Sequence, residues 1–285
     1  MSTREWNTLV QPETLAAALG APGLVVVDCR FSLADPAAGE REYGRARIPG
    51  ARYAHLDRDL SGPHGPGCGR HPWPDAEAFT GRLSAWGISP RTRVVAYDAG
   101  DGAFAARLWC LLRMLGHEAV AVLDGGFARW TALGLPVDDA VSEPAPEPAV
   151  FAGAFDASRL LDADAIACHL AQGGLLVDAR APERFRGEVE PIDPVAGHVP
   201  GAVNRPYMAN LDAGRFKAPA RLRAEFEALP GWRGPEALVA MCGSGVTACH
   251  HLLALEHAGL RGARLFTGSW SGWIDDPARP VATGD

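Results

Sequence analysis

The 285-residue chain has no apolar run that approaches the ~18–20 residues of a membrane span. Its first twenty residues carry charge and lack the continuous apolar core and cleavage site of a secretory leader, so the expected compartment is the cytoplasm. It has no excess of positive charge: the formal net charge is −7, which argues against a general nucleic-acid binder but leaves room for a local basic pocket that holds a small anion. Among its six cysteines (Cys29, Cys68, Cys110, Cys168, Cys242 and Cys249) there is no CxxC pair and no regular spacing. That excludes a disulfide framework and predicts free thiols in a reducing compartment. Gly100–Gly102 and Gly243–Gly245 each begin a GxG, but neither completes GxGxxG, which weighs against a dinucleotide site. His250, His251 and His257 share one predicted helix without a matching Cys/His cluster, so a metal site is not expected.

What is present is a globular composition, 47% hydrophobic and 21% charged, and an internal repeat. LVVVDCR (Leu24 to Arg30) recurs as LLVDAR (Leu175 to Arg180), and RIPGA (Arg47 to Ala51) as HVPGA (His198 to Ala202). RVVAYDAG (Arg93 to Gly100) recurs as LVAMCGSG (Leu238 to Gly245), and DGGFARW (Asp124 to Trp130) as TGSWSGW (Thr267 to Trp273). Four blocks in one order at a nearly constant offset imply a duplicated domain. The Pro-, Ala- and Glu-rich stretch Val141 to Ala154 reads as a stiff connector, with a boundary near Pro146 that gives domains 1–146 and 147–285. In each half, short apolar runs alternate with helical segments. The fold class is therefore α/β, each domain a parallel sheet flanked by helices. Trp109, Trp130, Trp270 and Trp273 are expected to pack in the core or between domains.

In such sheets ligands bind where strands run into helices, at the strand carboxyl ends. The loop after LVAM is Cys242-Gly243-Ser244-Gly245-Val246-Thr247, leading straight into a helix. Two glycines let successive amides converge, and the helix start adds free N–H groups and the positive end of its dipole. Those surroundings stabilise an anionic sulfur, a persulfide or the oxygens of a leaving group. Ser244 and Thr247 add hydroxyls, while Cys249, one turn into the helix, reads as a packing residue. In the first copy Asp98 occupies the place of Cys242, so that copy is expected to be catalytically inactive while lending residues to the site.

The CGSGVTA loop, in a tandem of VDxR…PGA units with the segment FRGEVEP…GHVPGAVN, resembles the rhodanese-family sulfurtransferases. Within that family it is most similar to the 3-mercaptopyruvate branch, because the thiosulfate enzymes of the bovine type carry charged residues where this chain has Gly243 and Ser244. The resemblance implies two tandem rhodanese-like domains and a Cys242 persulfide. Ser244 would act with a histidine and an aspartate from His55 to Asp75, best matched by His71 and Asp57, with Asp59 a competitor. Arg186 matches the arginine that binds the donor's anionic group, beside the loop residues Gly243, Gly245, Val246 and Thr247. Ile192 stands where the family carries a second arginine, which opens the question of the donor. No metal or organic cofactor is implied. The implied partners are a small sulfur donor and a thiol, cyanide or thioredoxin-like acceptor. Three alternatives remain for comparison: a thiosulfate donor, a non-enzymatic persulfide carrier, and a phosphatase. The phosphatase loop needs C-x5-R, and here Ala248 falls at the arginine position.

Overall fold

The computed structural model describes residues 6–139 and 149–285. The connector position Pro146 lies outside the described residues. The chain divides into two compact units, one of Met1–Gly62 with Pro74–Phe155, the other of Pro63–Trp73 with Asp156–Asp285. A segment of the N-terminal half, Pro63–Trp73, thus counts with the second unit.

In the first unit the elements run β1 (Leu9–Val10), α1 (Pro12–Ala18), β2 (Leu24–Asp28), α2 (Ala38–Arg45), β3 (Arg52–Tyr53), α3 (Leu56–Asp59), α4 (Ala76–Ala85), β4 (Arg93–Tyr97), α5 (Ala105–Met114), β5 (Val120–Leu123) and α6 (Gly126–Ala132). The strands form a parallel sheet in the order β1-β5-β4-β2-β3. In the second unit come β6 (Leu160–Leu161), α7 (Ala163–Ala171), β7 (Leu175–Asp178), α8 (Pro182–Phe185), β8 (Val203–Asn204), β9 (Leu211–Asp212), β10 (Arg215–Phe216), α9 (Pro219–Glu227), β11 (Leu238–Met241), α10 (Thr247–His257), β12 (Arg264–Phe266) and α11 (Ser269–Trp273). Their sheet order is β6-β12-β11-β7-β8, again parallel, with β9 and β10 paired apart as an antiparallel ribbon. The two sheets have the same topology strand for strand, which is the repeat seen in sequence.

The apolar runs become the central strands because both faces of a parallel sheet are covered. Val94, Val95 and Ala96 of β4 and Leu238 to Met241 of β11 are all fully buried. The two-residue edge strands β1, β3, β6 and β8 have no sequence period to betray them. Trp109, Trp130, Trp270 and Trp273 are buried.

The repeated Asp-x-Arg has a structural reason. Arg30 Nη2 meets Asp28 Oδ2 at 2.6 Å, and Arg180 Nη2 meets Asp178 Oδ2 at 2.7 Å, all four residues nearly inaccessible. Each arginine also donates to a backbone carbonyl just before the repeated (I/V)PGA turn, that of Ala46 or Gly197. Its guanidinium lies over an aromatic ring, Phe127 in one unit and Trp270 in the other. The buried pair fixes the end of β2 or β7 to the neighbouring turn, and losing one partner would strand a charge.

Candidate active site

Strand β11 ends at Met241, and the buried loop 242–246 carries the chain to α10. The Gly245 amide donates to Cys242 Sγ at 3.1 Å. Cys242 itself is 2% exposed. The start of α11 laces the loop in place: Trp270 N donates to Cys242 O and Ser271 N to Gly243 O, both at 2.9 Å. Ser269 Oγ accepts from Cys242 N at 3.1 Å and donates to Phe266 O at 3.0 Å. Ser269 sits at φ +50°, a left-handed conformation that is unfavourable for a side chain with a Cβ. The matching residue in the first unit is Gly126, at φ +55°. Serine is retained at the strained position in the second unit, where its hydroxyl holds the cysteine's amide.

The first-unit loop is built alike, with Phe127 N bonded to Asp98 O at 2.8 Å and Ala128 N to Ala99 O at 2.9 Å. Its cradle is filled from within. Asp98 accepts from the amides of Gly100 and Gly102 on one oxygen and of Phe104 and Ala105 on the other. Burial, reinforced by Asp101 and opposed by those amides, pushes its carboxyl up to about 6. At neutral pH the cradle therefore holds its own anion.

The segment Pro63–Trp73 brings His71 to the cysteine loop. His71 Nδ1 and Ser244 Oγ are 2.7 Å apart and both residues are buried. The segment seats closely because glycines face it and lie within it. A Cβ added to Gly268 or Gly272 would lie 2.5 Å from Gly67 O, and one on Gly69 2.4 Å from Gly268 O. Gly67 N donates to Asp275 Oδ2 at 2.8 Å, and Arg70 N to Ser271 Oγ at 2.9 Å.

The structure thus brings together Cys242, Gly243, Ser244, Gly245, Val246, Thr247 and His71. Arg186 lies apart from this group: its Nε and Nη2 each donate to the Glu188 carboxylate at 2.8 Å in a solvent-facing pair, and its carbonyl accepts from Gly284 N. Of the two arginines in ERFRG, Arg184 is the one that meets the loop. A Cβ on Gly243 would lie 3.6 Å from Arg184 Nη1 and 3.7 Å from its Nη2. One turn of α8 decides between them: Phe185 is buried and stacked on His198 at 3.7 Å, and the arginines on its two sides leave in different directions. Sequence reading had two arginines in ERFRG and no means of orienting them.

Arg184 Nη2 donates to Glu190 at 2.7 Å and Asp193 at 3.1 Å. Burial works against ionisation of Glu190, but hydrogen bonds from Arg184 and from the amides of Asp193 and Ile192 outweigh it and lower its pKa. Asp57 lies exposed on α3 of the first unit. Asp59, also on α3, accepts from His55 N at 2.8 Å and pairs with Arg82 at 3.0 Å. Cys249 is buried, its thiol donating to Gly245 O at 3.2 Å. None of the six cysteines is in a disulfide, and among the described residues no group of His, Cys, Asp and Glu is placed to hold a metal ion.

A model of the rhodanese-like domain matches residues 11–133 and again 160–276. The chain belongs to the rhodanese family. A relative from Pseudomonas aeruginosa named "Probable 3-mercaptopyruvate sulfurtransferase" is 53% identical over 97% of this chain and 98% of its own length. The thiosulfate sulfurtransferase of Bos taurus is 36% identical over 94% of this chain and 92% of its own. Among solved structures of the rhodanese family, SseA from Escherichia coli, described as a 3-mercaptopyruvate sulfotransferase, superposes with a TM-score of 0.78 at 29% identity. That match covers 93% of this chain and 99% of the other.

Proposed function

We propose that this rhodanese-family enzyme moves sulfur from 3-mercaptopyruvate through a Cys242 persulfide to a thiol or cyanide. The observation that carries the reading is the pairing of Cys242, on its amide-lined loop, with a Ser244 hydroxyl hydrogen-bonded to His71 at 2.7 Å. The Cys242 thiolate attacks the donor sulfur. A sulfur–sulfur bond forms, the donor's carbon–sulfur bond breaks, and its electron pair goes to carbon as the enolate of pyruvate. A proton passed along the His71–Ser244 pair converts the enolate to pyruvate. The loop amides line the cysteine, and Gly245 N, which donates to Cys242 Sγ, stabilises the thiolate before attack and after the acceptor has taken the outer sulfur. An acceptor then takes that sulfur and returns Cys242 as thiolate, so the two half-reactions alternate.

The donor carboxylate is assigned to Arg184, whose planar fork suits it, rather than to Arg186. Gly243 and Ser244, uncharged beside the cysteine, favour mercaptopyruvate over thiosulfate as the donor. The acceptor is taken to be a small thiol or a thioredoxin-like protein in the cytoplasm. Cysteines that form no disulfide support a reducing compartment, and among the described residues no helix is long and apolar enough to cross a membrane.

Mass spectrometry after donor treatment tests the nucleophile. The protein should gain one sulfur, ~32 Da, and Cys242→Ser should lose that gain. An adduct retained by Cys242→Ser refutes the assignment. A higher kcat/KM for thiosulfate than for mercaptopyruvate refutes the donor. Loading by a protein desulfurase alone, with no small donor effective, would make the chain a carrier instead.

A further inference from the structure

We infer that Arg70, from the segment Pro63–Trp73, is a donor-recognition residue that replaces the cation missing at Ile192, and that Asp193 holds it in place beside Arg184. The inference rests on the mercaptopyruvate reading above. Two guanidiniums from separate parts of the second unit converge on the residue next to Cys242. A Cβ on Gly243 would lie 3.4 Å from Arg70 Nη2, closer than either Nη of Arg184. Asp193 joins the pair, one oxygen bonded to Arg70 Nη1 and the other to Arg184 Nη2. Its side chain is only 3% exposed, so the bridge is shielded from solvent. The backbone of Arg70 is bonded to Ser271 Oγ, and the amide of Ser271 is bonded to Gly243 O. Arg70 and the cysteine loop therefore share one anchor.

The guanidinium retains capacity for a ligand, because the Arg70 side chain is 27% exposed and its buried Nε has no hydrogen-bond partner. Beside it opens a cavity of about 770 Å³ lined by Arg70, Ile192, Asp193 and Ser271, with His64 and Asp275 on its rim. Ile192 lines this cavity with an apolar surface, and Arg70 is the positive charge there.

Charge balance gives the chemical class of donor. Arg70 and Arg184 face Asp193 and Glu190, and Arg180, paired with Asp178, also lies 3.6 Å from Glu190, so cations and carboxylates balance three against three. Such a clamp holds an anion by directed hydrogen bonds rather than by surplus charge. With no surplus positive charge, each charge on the ligand adds repulsion from the carboxylates, so the clamp suits a monoanionic α-keto carboxylate better than a dianion such as thiosulfate.

The test compares mercaptopyruvate with mercaptoacetone, which keeps the ketone and thiol but lacks the carboxylate, and with thiosulfate. Arg70→Met should lower kcat/KM for mercaptopyruvate about tenfold to hundredfold, mainly through KM, and shrink its preference over mercaptoacetone by the same factor. Arg70→Lys should recover part of the loss. Asp193→Asn should shift the donor preference toward thiosulfate. An equal loss on mercaptopyruvate and mercaptoacetone would make Arg70 a structural residue and overturn the inference, as would no loss at all. An unshifted donor preference in Asp193→Asn would overturn the charge-balance part. Wild-type enzyme is measured first. If it favours thiosulfate, the donor reading itself falls, whereas a wild-type preference for mercaptopyruvate with an indifferent Arg70→Met removes Arg70 alone.

Discussion

Replacing Gly272 with alanine should weaken this enzyme, although helix propensity says the opposite. Gly272 lies inside α11, where glycine to alanine is ordinarily worth about 1 kcal/mol of added stability. Here the new Cβ would meet Gly67 O at 2.5 Å, with Gly67 C and Gly69 N at 3.2 Å. An ordinary carbon–oxygen approach is about 3.3 Å, so the segment must retreat by about 0.8 Å. The obstructing atoms are backbone and cannot rotate away. Overpacking of this kind costs about 1–3 kcal/mol, enough to cancel or reverse the propensity gain. The retreating segment carries His71 and, in our inference, Arg70, and a misplacement near 1 Å can cost about a hundredfold in rate. The assay is a thermal melt together with kcat/KM for mercaptopyruvate with cyanide as acceptor. Gly81→Ala is the control: Gly81 is exposed in α4, nothing lies within 4 Å of its added Cβ, and it should show the ordinary gain. A Gly272→Ala protein with full activity and a higher melting temperature would refute the view that this close seating organises the site.

Three further outcomes are expected. Asp98→Ala leaves four amides without their acceptor, so chemical denaturation should show a loss above about 2 kcal/mol, and an unchanged midpoint would contradict the self-filled cradle. His251 is fully buried, its Nε2–H given to Arg205 O at 2.7 Å and its Nδ1 accepting from Asn210 Nδ2 at 3.0 Å; burial, then the charge of Arg205, holds its pKa well below the usual value. Its folded pKa is depressed, so its contribution is complete above pH 6.5 and is lost as pH falls, at up to about 1.4 kcal/mol per pH unit. His251→Gln should flatten that acid slope in melts between pH 7.5 and 5.5 (about one unit either side of the free histidine value), and an equally steep slope would exclude His251 as its source. Finally, Asp57→Asn should lower kcat without lowering the melting temperature. Asp59→Asn, which keeps a single acceptor oxygen for His55 N and Arg82 and removes the charge that Arg82 pairs with, should act chiefly on stability; the reverse pattern would exchange the two roles.

Much of this molecule could be read without coordinates because its signals are local. Apolar runs bounded by Asp-x-Arg became the interior strands β2 and β7, and the duplicated domain read from the repeat appears as two parallel sheets of identical strand order. The loop at Cys242 was legible because strand end, paired glycines and helix start are contiguous in sequence. Ser244 with His71 was also legible, through resemblance rather than spacing, since the two are far apart in the chain and meet at 2.7 Å.

The sequence alone thus determined the duplicated α/β fold, the glycine-lined loop that carries Cys242, our proposed nucleophile, and an acidic residue in its place in the first copy, all properties of neighbouring residues. Tertiary structure decided which cations surround the nucleophile. The choice of Arg184 over Arg186 depends on the direction in which a one-turn helix ends once Phe185 is buried. The approach of Arg70 depends on three glycines, Gly69, Gly268 and Gly272, that let two backbones come closer than any side chain permits. Both are consequences of packing between distant segments, and packing of that kind has no period or motif from which to read it.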